Sequence, residues 1–213
     1  MSAPASAILL SLFIALLGAC AEPALKDQVS KEFASQELYP VRNSGFTEAF
    51  VRRDVNLSSY HSVDIRPLGV SEIDIPSTAI AGTLRRDWQM TAERQNALQT
   101  AWAGAMDRAF SSYQRATAGP GVLRIDARLT RIAPGRPTAT TIGGDLQPMA
   151  ASRDVIEISA EFRVYDAGDD TLLAVIRDSR TLTSVQMSRT APAAVRILFG
   201  SWSALLHTRI SGR

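Results

Sequence analysis

The stretch Ile156-Glu157-Ile158-Ser159-Ala160-Glu161-Phe162-Arg163-Val164-Tyr165, followed by Asp166-Ala167-Gly168-Asp169-Asp170, decides the fold. Ile156, Ile158, Ala160, Phe162 and Val164 alternate with Glu157, Ser159, Glu161, Arg163 and Tyr165, the period of a strand with one buried and one wet face. The acidic run after it has the composition of a turn. Leu172 to Leu182 supplies a returning strand, so the unit predicts an antiparallel hairpin. Upstream, Leu123, Ile125, Ala127 and Leu129 alternate with Arg124, Asp126, Arg128 and Thr130 and predict a further strand. Opposite charges on the wet faces can pair across the ladder, each pair worth about 0.2 to 1 kcal/mol.

Outward from this core the period changes. Leu98, Ala101, Trp102, Ala105, Met106, Ala109, Phe110 and Tyr113 recur every three or four residues, with Glu93, Arg94, Asp107 and Arg108 between them. That spacing predicts an amphipathic helix from Thr91, its N-cap, to about Arg115, with Gly119-Pro120-Gly121 ending the segment. A second helix is predicted from Pro192, suited to a first turn, to Ile210, with Val195, Leu198, Phe199, Trp202, Leu205 and Leu206 as its stripe. Before the first helix, Val63 and Ile65 alternate up to Pro67 and predict a strand that lies at a sheet edge or ends in a bulge. Ile73 and Ile75 repeat the alternation into Pro76. The order predicts an α+β fold: a two-layer sandwich with a mostly antiparallel sheet and two helices packed on one face.

The first residues have another character. Ala7 to Ala19 is apolar but shorter than the ~20 residues that span a bilayer, and it ends in Leu17-Gly18-Ala19-Cys20. A short hydrophobic run closed by a leucine, two small residues and a cysteine is the arrangement of a bacterial lipoprotein signal, cleaved between Ala19 and Cys20 with Cys20 lipidated. Met1 to Ser6 holds no lysine or arginine, a departure from the usual leader. Three acyl chains, each methylene worth about 0.8 kcal/mol when buried, would make attachment permanent. The expected organisation is a signal peptide over 1–19, a lipidated cysteine and tether over 20–43, and one domain over 44–213. A first short helix over Leu25 to Leu38 is the other reading of the tether. Ala21, rather than aspartate, after Cys20 favours the inner leaflet of the outer membrane, facing the periplasm.

Composition bounds the function. The chain of 213 residues is 46% hydrophobic and 21% charged, a globular balance. Its formal charge is +2 and its basic residues are dispersed, which argues against nucleic acid as a partner. Cys20 is the only cysteine, so neither a disulfide nor a thiolate metal cluster is available. His61 and His207 have no ligand-spaced neighbours, so no metal is expected. His207, near a helix end, suits the dipole there. Gly200-Ser201-Trp202-Ser203 lacks the second glycine of a nucleophile elbow and falls in the helical stripe. Asp166, Asp169 and Asp170 lack the ligand spacing of a calcium loop. No phosphate-binding loop or dinucleotide fingerprint is present, and no cofactor is expected.

One segment invites a binding role. Ala133 to Ser152 joins two strands through a long run rich in proline, glycine, threonine and alanine, unusual length for a connection without a task. Arg136, Thr141, Ile142 and Asp145 within it, with Trp88 beside Arg85, Arg86 and Asp87, are the candidate partner-binding residues. The chain is expected to be non-enzymatic and to bind or support another envelope protein while attached to the bilayer through Cys20. A hydrolase, or a carrier of a small apolar ligand using a cleft between sheet and helices, is the competing reading. An oligomer subunit, with an unpaired edge at Val63 to Val70, is a third.

Taken together, Ser44-Gly45-Phe46, Tyr60 before the strand ending at Pro67, the helix around Trp102, Thr130-Arg131-Ile132-Ala133-Pro134 and the segment Ile158 to Arg180 resemble the bacterial lipoproteins of domain of unknown function 3313. The strongest match is Glu161-Phe162-Arg163-Val164-Tyr165-Asp166-Ala167, then Leu172-Leu173-Ala174-Val175. The family tends to have a Thr-Gly turn where this chain has Asp169-Asp170-Thr171. The resemblance implies an envelope lipoprotein with an α/β domain, and it carries over no catalytic residue.

Overall fold

The structure, a computed structural model, describes residues 22–76, 89–135 and 155–212. Within them, the strands are β1 (Ala24–Leu25), β2 (Leu38–Arg42), β3 (Glu48–Arg52), β4 (Ser62–Ile65), β5 (Gln114–Arg115), β6 (Val122–Gly135), β7 (Val155–Asp166) and β8 (Leu172–Thr183). The helices are α1 (Ala92–Ala109) and α2 (Ser184–Ser211). The strands form one sheet in the order β1-β2-β3-β8-β7-β6-β4-β5. All pairs are antiparallel except those of β4 with β6 and β5. This is the α+β architecture that the alternating strands and the two striped helices predict.

The hairpin of β7 and β8 is its centre, and the side-chain period sets what each face does. Phe162 lies beside Ala127 of β6 and Ile176 of β8, so these three face the helices together. Trp102 of α1 stacks on the Phe162 ring at 5.6 Å, and Trp202 of α2 meets it edge-on at 5.6 Å. Phe199 closes the cluster against both tryptophans. A bulge between Leu129 and Arg131 puts Ile132 back on the buried side after the alternation slips by one residue. Residues 66–75 run alongside β6, where Gly69 donates to the Ala127 carbonyl at 2.8 Å. A Cβ on Gly69 would stand 3.2 Å from Arg128 Cβ, which is why this position suits glycine.

Several expectations are corrected. Residues 24–42 do not form a tether or a helix: β1 and β2 are paired into the sheet, and only a 3₁₀ turn at Ala34–Gln36 is helical. Phe33 and Leu38 are buried with Val175 on the face away from the helices, so the segment before Ser44 covers that face. β4 lies between β6 and β5 and is not an edge. The alternation at Ile73 and Ile75 makes only a single bridge, Asp74 with Arg131. α1 ends at Ala109, with the Phe110 amide bonded to the Met106 carbonyl. Phe110 keeps the apolar period because it is still core, edge-on to Tyr113, although the helix has stopped. α2 begins at Ser184, before Pro192, because Ser184 to Ala191 carries no apolar stripe to read. Thr91 does cap α1, its hydroxyl accepting from the Arg94 amide at 3.3 Å.

Candidate functional site

The clearest concave feature arises where the helix layer runs out. At the end of the sheet away from β4, strands β1 to β3 turn Leu25, Val41, Ala49 and Val51 toward the helix side. There a cavity of about 590 Å³ lies between these strands and the end of α2. Val164, Ala174 and Ile176 complete its floor, and Thr208, Arg209 and Ile210, at the end of α2, form one wall. Residues 52–58 form another, and Glu22 and Pro23 border its mouth. Its size lies within the ~300–1,000 Å³ of small-molecule sites.

The rim of this cavity is basic. Arg53 places its guanidinium over the Tyr39 ring at 4.4 Å and donates to the carbonyls of Lys26 and Asp27. Arg209 donates to the Ser44 carbonyl at 2.7 Å and to that of Asn43 at 3.4 Å. Carbonyl oxygens accept these bonds without cancelling the charge, and among the described residues neither arginine has a carboxylate partner. Arg52 is 3.7 Å from the exposed Glu37 carboxylate, and Glu22 is the one acid among the lining residues.

A second, smaller pocket of about 190 Å³ brings together the two histidines, lined by Ser58, Tyr60, His61, Ser112, Tyr113, His207 and Ser211. Nothing in their spacing along the chain forecasts this meeting; it follows from α2 ending against the start of β4. The His207 ring packs edge-on to Phe110 and Tyr113, at 5.3 and 5.8 Å. The Tyr60 hydroxyl donates to Asp166 at 2.6 Å. Burial, and then that bond, hold the Tyr60 phenol well above its ordinary pKa, so it stays protonated and is a poor general base. No group of three or more potential ligands is assembled for a metal among the described residues.

The sheet face away from the helices is a charge ladder. Glu161 is 2% exposed and accepts from Arg128 of β6 and Arg163 of β7 at 2.8 Å, and from Arg177 of β8 at 2.9 Å. Arg177 also donates twice to Glu32 and once to Glu48. The bonds of Glu161 with Arg128 and Arg177, and of Arg177 with Glu48, are the cross-strand pairing expected from the wet faces, and the Arg177–Glu32 pair joins the residues before β2 to the centre of the sheet. Burial raises the Glu161 pKa, but its bonds to Arg177 and Arg163 outweigh burial and hold the group below its ordinary value of 4.5. A lowered carboxyl stabilises the fold fully above its unfolded value and loses that contribution as the pH falls through the folded one. Stability should therefore hold from neutral pH to about pH 5 and drop below about pH 4. Glu161→Gln should cost about 3 kcal/mol at pH 7 and flatten the acid limb, read by thermal melts across pH.

The remaining candidate motifs are structural. Ser203 is 1% exposed and donates to the Gly200 carbonyl inside α2, so it is no nucleophile. Asp166 and Asp169 accept from the amides of Gly168 and Thr171 within their own turn, and Asp170 pairs with Arg124. Ala19, Cys20, Trp88, Arg136, Thr141, Ile142 and Asp145 lie outside the described residues.

The family model described as "Protein of unknown function (DUF3313)" matches residues 29–206. No curated protein matches the sequence. Among solved structures, the chain is similar to a PelC dodecamer from Paraburkholderia phytofirmans at 7% identity, over 74% of this chain and 96% of that one, with a TM-score of 0.40. It is similar to protein XCC0632 from Xanthomonas campestris at 12% identity, over 76% and 91%, with a TM-score of 0.43. It is similar to a minor lipoprotein from Acinetobacter baumannii at 12% identity, over 72% and 92%, with a TM-score of 0.33.

Proposed function

We propose, for a chain that belongs to the DUF3313 family of proteins of unknown function, a lipid-anchored lipoprotein facing the periplasm that works by binding rather than by catalysis. The observation that carries the binding role is the cavity of about 590 Å³ between strands β1 to β3 and the end of α2. A cavity of that size, with half-buried Val41, Phe46, Val51 and Val55 along it, is a feature that folding alone does not require. The anchor rests on Leu17-Gly18-Ala19-Cys20 after a short apolar run. No described helix is long and apolar enough to cross a membrane. Ala21 supports the inner leaflet of the outer membrane as its location. The domain would act there as an accessory component of the envelope, with Trp88 and the segment holding Arg136, Thr141, Ile142 and Asp145 as further contacts to an envelope protein.

Fractionation tests the anchor: the wild type is expected with membranes, and Cys20→Ala as an uncleaved or soluble product. Recovery of Cys20→Ala in membranes at the wild-type level, in processed form, would contradict it. The hydrolase reading keeps one observation in its favour, the pocket shared by His61 and His207. It predicts that p-nitrophenyl butyrate is turned over and that His207→Ala abolishes the turnover. The binding reading predicts no turnover above the buffer rate in either protein.

A further inference from the structure

We propose that the cavity between strands β1 to β3 and the end of α2 takes an extended peptide segment of a partner protein. The segment carries two carboxylates on one side, four residues apart, with an apolar side chain midway between them. The proposal rests on the binding reading above and names the chemistry of the partner; it uses nothing from the anchor.

The spacing comes from the two arginines, which stand at opposite ends of the cavity they both line. Strand period and register put Tyr39 beside Val51, and Val41 beside Leu25, on the helix side of the sheet. Arg53 lies over the Tyr39 ring at 4.4 Å and on the carbonyls of Lys26 and Asp27, at one end of this row. Arg209 lies on the carbonyls of Asn43 and Ser44, just past the other end. Tyr39 and Asn43 are four residues apart, which at about 3.3 Å per residue separates the guanidiniums by roughly 10 to 13 Å. An extended peptide has the same rise and turns residues i, i+2 and i+4 to one side. Its residues i and i+4 therefore reach the two arginines while i+2 sits over Val41 and Val51, both half-buried. Each guanidinium gives two N–H donors to carbonyls, which fix its orientation, and keeps the rest for a carboxylate, whose oxygens match its planar fork. Glu22, the one acid of the lining, is exposed and pairs with neither arginine among the described residues.

The lining between the arginines selects a peptide over other chains of that length. Val41, Phe46 and Val51 are apolar and half-buried, and Leu25 on the lip is 41% exposed. Asn56 and Thr208 bring polar groups to the same walls. A hydrocarbon chain would take the polar groups from water without a partner, and a sugar would leave the apolar side chains unmatched. A peptide main chain carries a donor and an acceptor at nearly every residue, and its alternate side chains fill apolar hollows.

The test uses the full chain extracted in detergent and a fluorescein-labelled peptide, Gly-Asp-Thr-Leu-Thr-Glu-Gly, read by fluorescence anisotropy. The wild type should bind it about twentyfold more tightly than the amide version with Asn and Gln in place of the acids, from about fivefold for each ion pair at a partly exposed rim. The respaced peptide Gly-Thr-Asp-Leu-Glu-Thr-Gly has the same composition and charge but reaches one arginine at a time, so it should bind about fivefold more weakly. Arg53→Gln and Arg209→Gln should each lose about fivefold, and the double variant should no longer distinguish acid from amide. Leu25→Asp, at an exposed position that the fold tolerates, should weaken every peptide. Equal binding of the acidic and amide peptides by the wild type, equal binding of the two spacings, or undiminished binding in the double arginine variant would overturn the proposal. Dioleoyl phosphatidylglycerol, read by native mass spectrometry, separates this failure from that of the binding reading. A chain that takes no peptide but retains the lipid, and loses it in Leu25→Asp, overturns the peptide and keeps the cavity as a binding site. A chain that takes neither overturns both.

Discussion

Asp178→Ala is expected to lower the stability of the domain by about 4 kcal/mol, the range found when one partner of a buried charged group is removed. Asp178 is 3% exposed, yet its carboxylate is fully engaged. One oxygen accepts from the Thr47 amide at 2.9 Å and the Thr47 hydroxyl at 2.8 Å. The other accepts from Arg180 at 2.6 Å and from the Trp202 indole at 2.7 Å. The side chain thus joins the residue before β3, its own strand β8 and helix α2 at one point. Without it the buried Trp202 N–H loses its acceptor in a low-dielectric interior, where an unsatisfied donor costs about 1 to 3 kcal/mol. A melting temperature lower by about 8 to 16 °C is the corresponding readout by differential scanning calorimetry. Trp202→Phe removes one of the donors, so the double variant with Asp178→Ala should be less destabilised than the sum of the two single changes, by about 1 kcal/mol. Strict additivity would mean that the indole bond contributes nothing.

The second large effect is expected at Trp102. Its indole is 1% exposed, lies nearly parallel to the Phe162 ring with 19° between planes, and meets Phe199 at 88°. Trp102→Ala would open a cavity among α1, α2 and β7 that these rings cannot close, at a cost of about 3 to 5 kcal/mol. Trp102→Phe should cost far less than its lost area suggests. The Trp102 N–H is buried with no hydrogen-bond partner, so phenylalanine removes an unsatisfied donor together with the lost contact. Urea titration of the two variants separates the cases. Near-equal losses would show that packing alone governs the site.

Much of this architecture is legible in the chain because one physical signal dominates it. The alternation through Ile158, Ala160, Phe162 and Val164 and the stripe from Leu98 to Phe110 are both readings of which side chains must leave water, and both identify core residues. Glu161 was readable as a wet-face position, but its burial was not. The covering segment comes from residues 26–38, whose few apolar groups, Phe33 and Leu38, are too sparse to show a period. The short strands β1, β2, β3 and β5 share that weakness: two to five residues cannot express an alternation, and their pairing depends on an adjacent strand already in place. β4 carries a readable Val63 and Ile65, yet its parallel partner β6 and its interior position are tertiary facts.

The candidate site was less legible than the fold. A cavity is defined by what fails to cover a surface, and no local pattern records where α2 ends relative to β3. Its lining residues, Val41, Ala49, Val51, Ala174 and Ile210, read individually as ordinary core positions. Arg53 and Arg209 are separated by most of the chain and share only the carbonyl environment that the fold gives them. The convergence of His61 and His207 was hidden for the same reason.

The most direct measurement is the mass of the N-terminal peptide from protein extracted from its native membranes. The account predicts a chain beginning at Cys20, its sulfur carrying a diacylglyceryl group and its amine an acyl chain. A peptide that retains residues before Cys20, with a free thiol, in protein recovered from the soluble fraction, would contradict it.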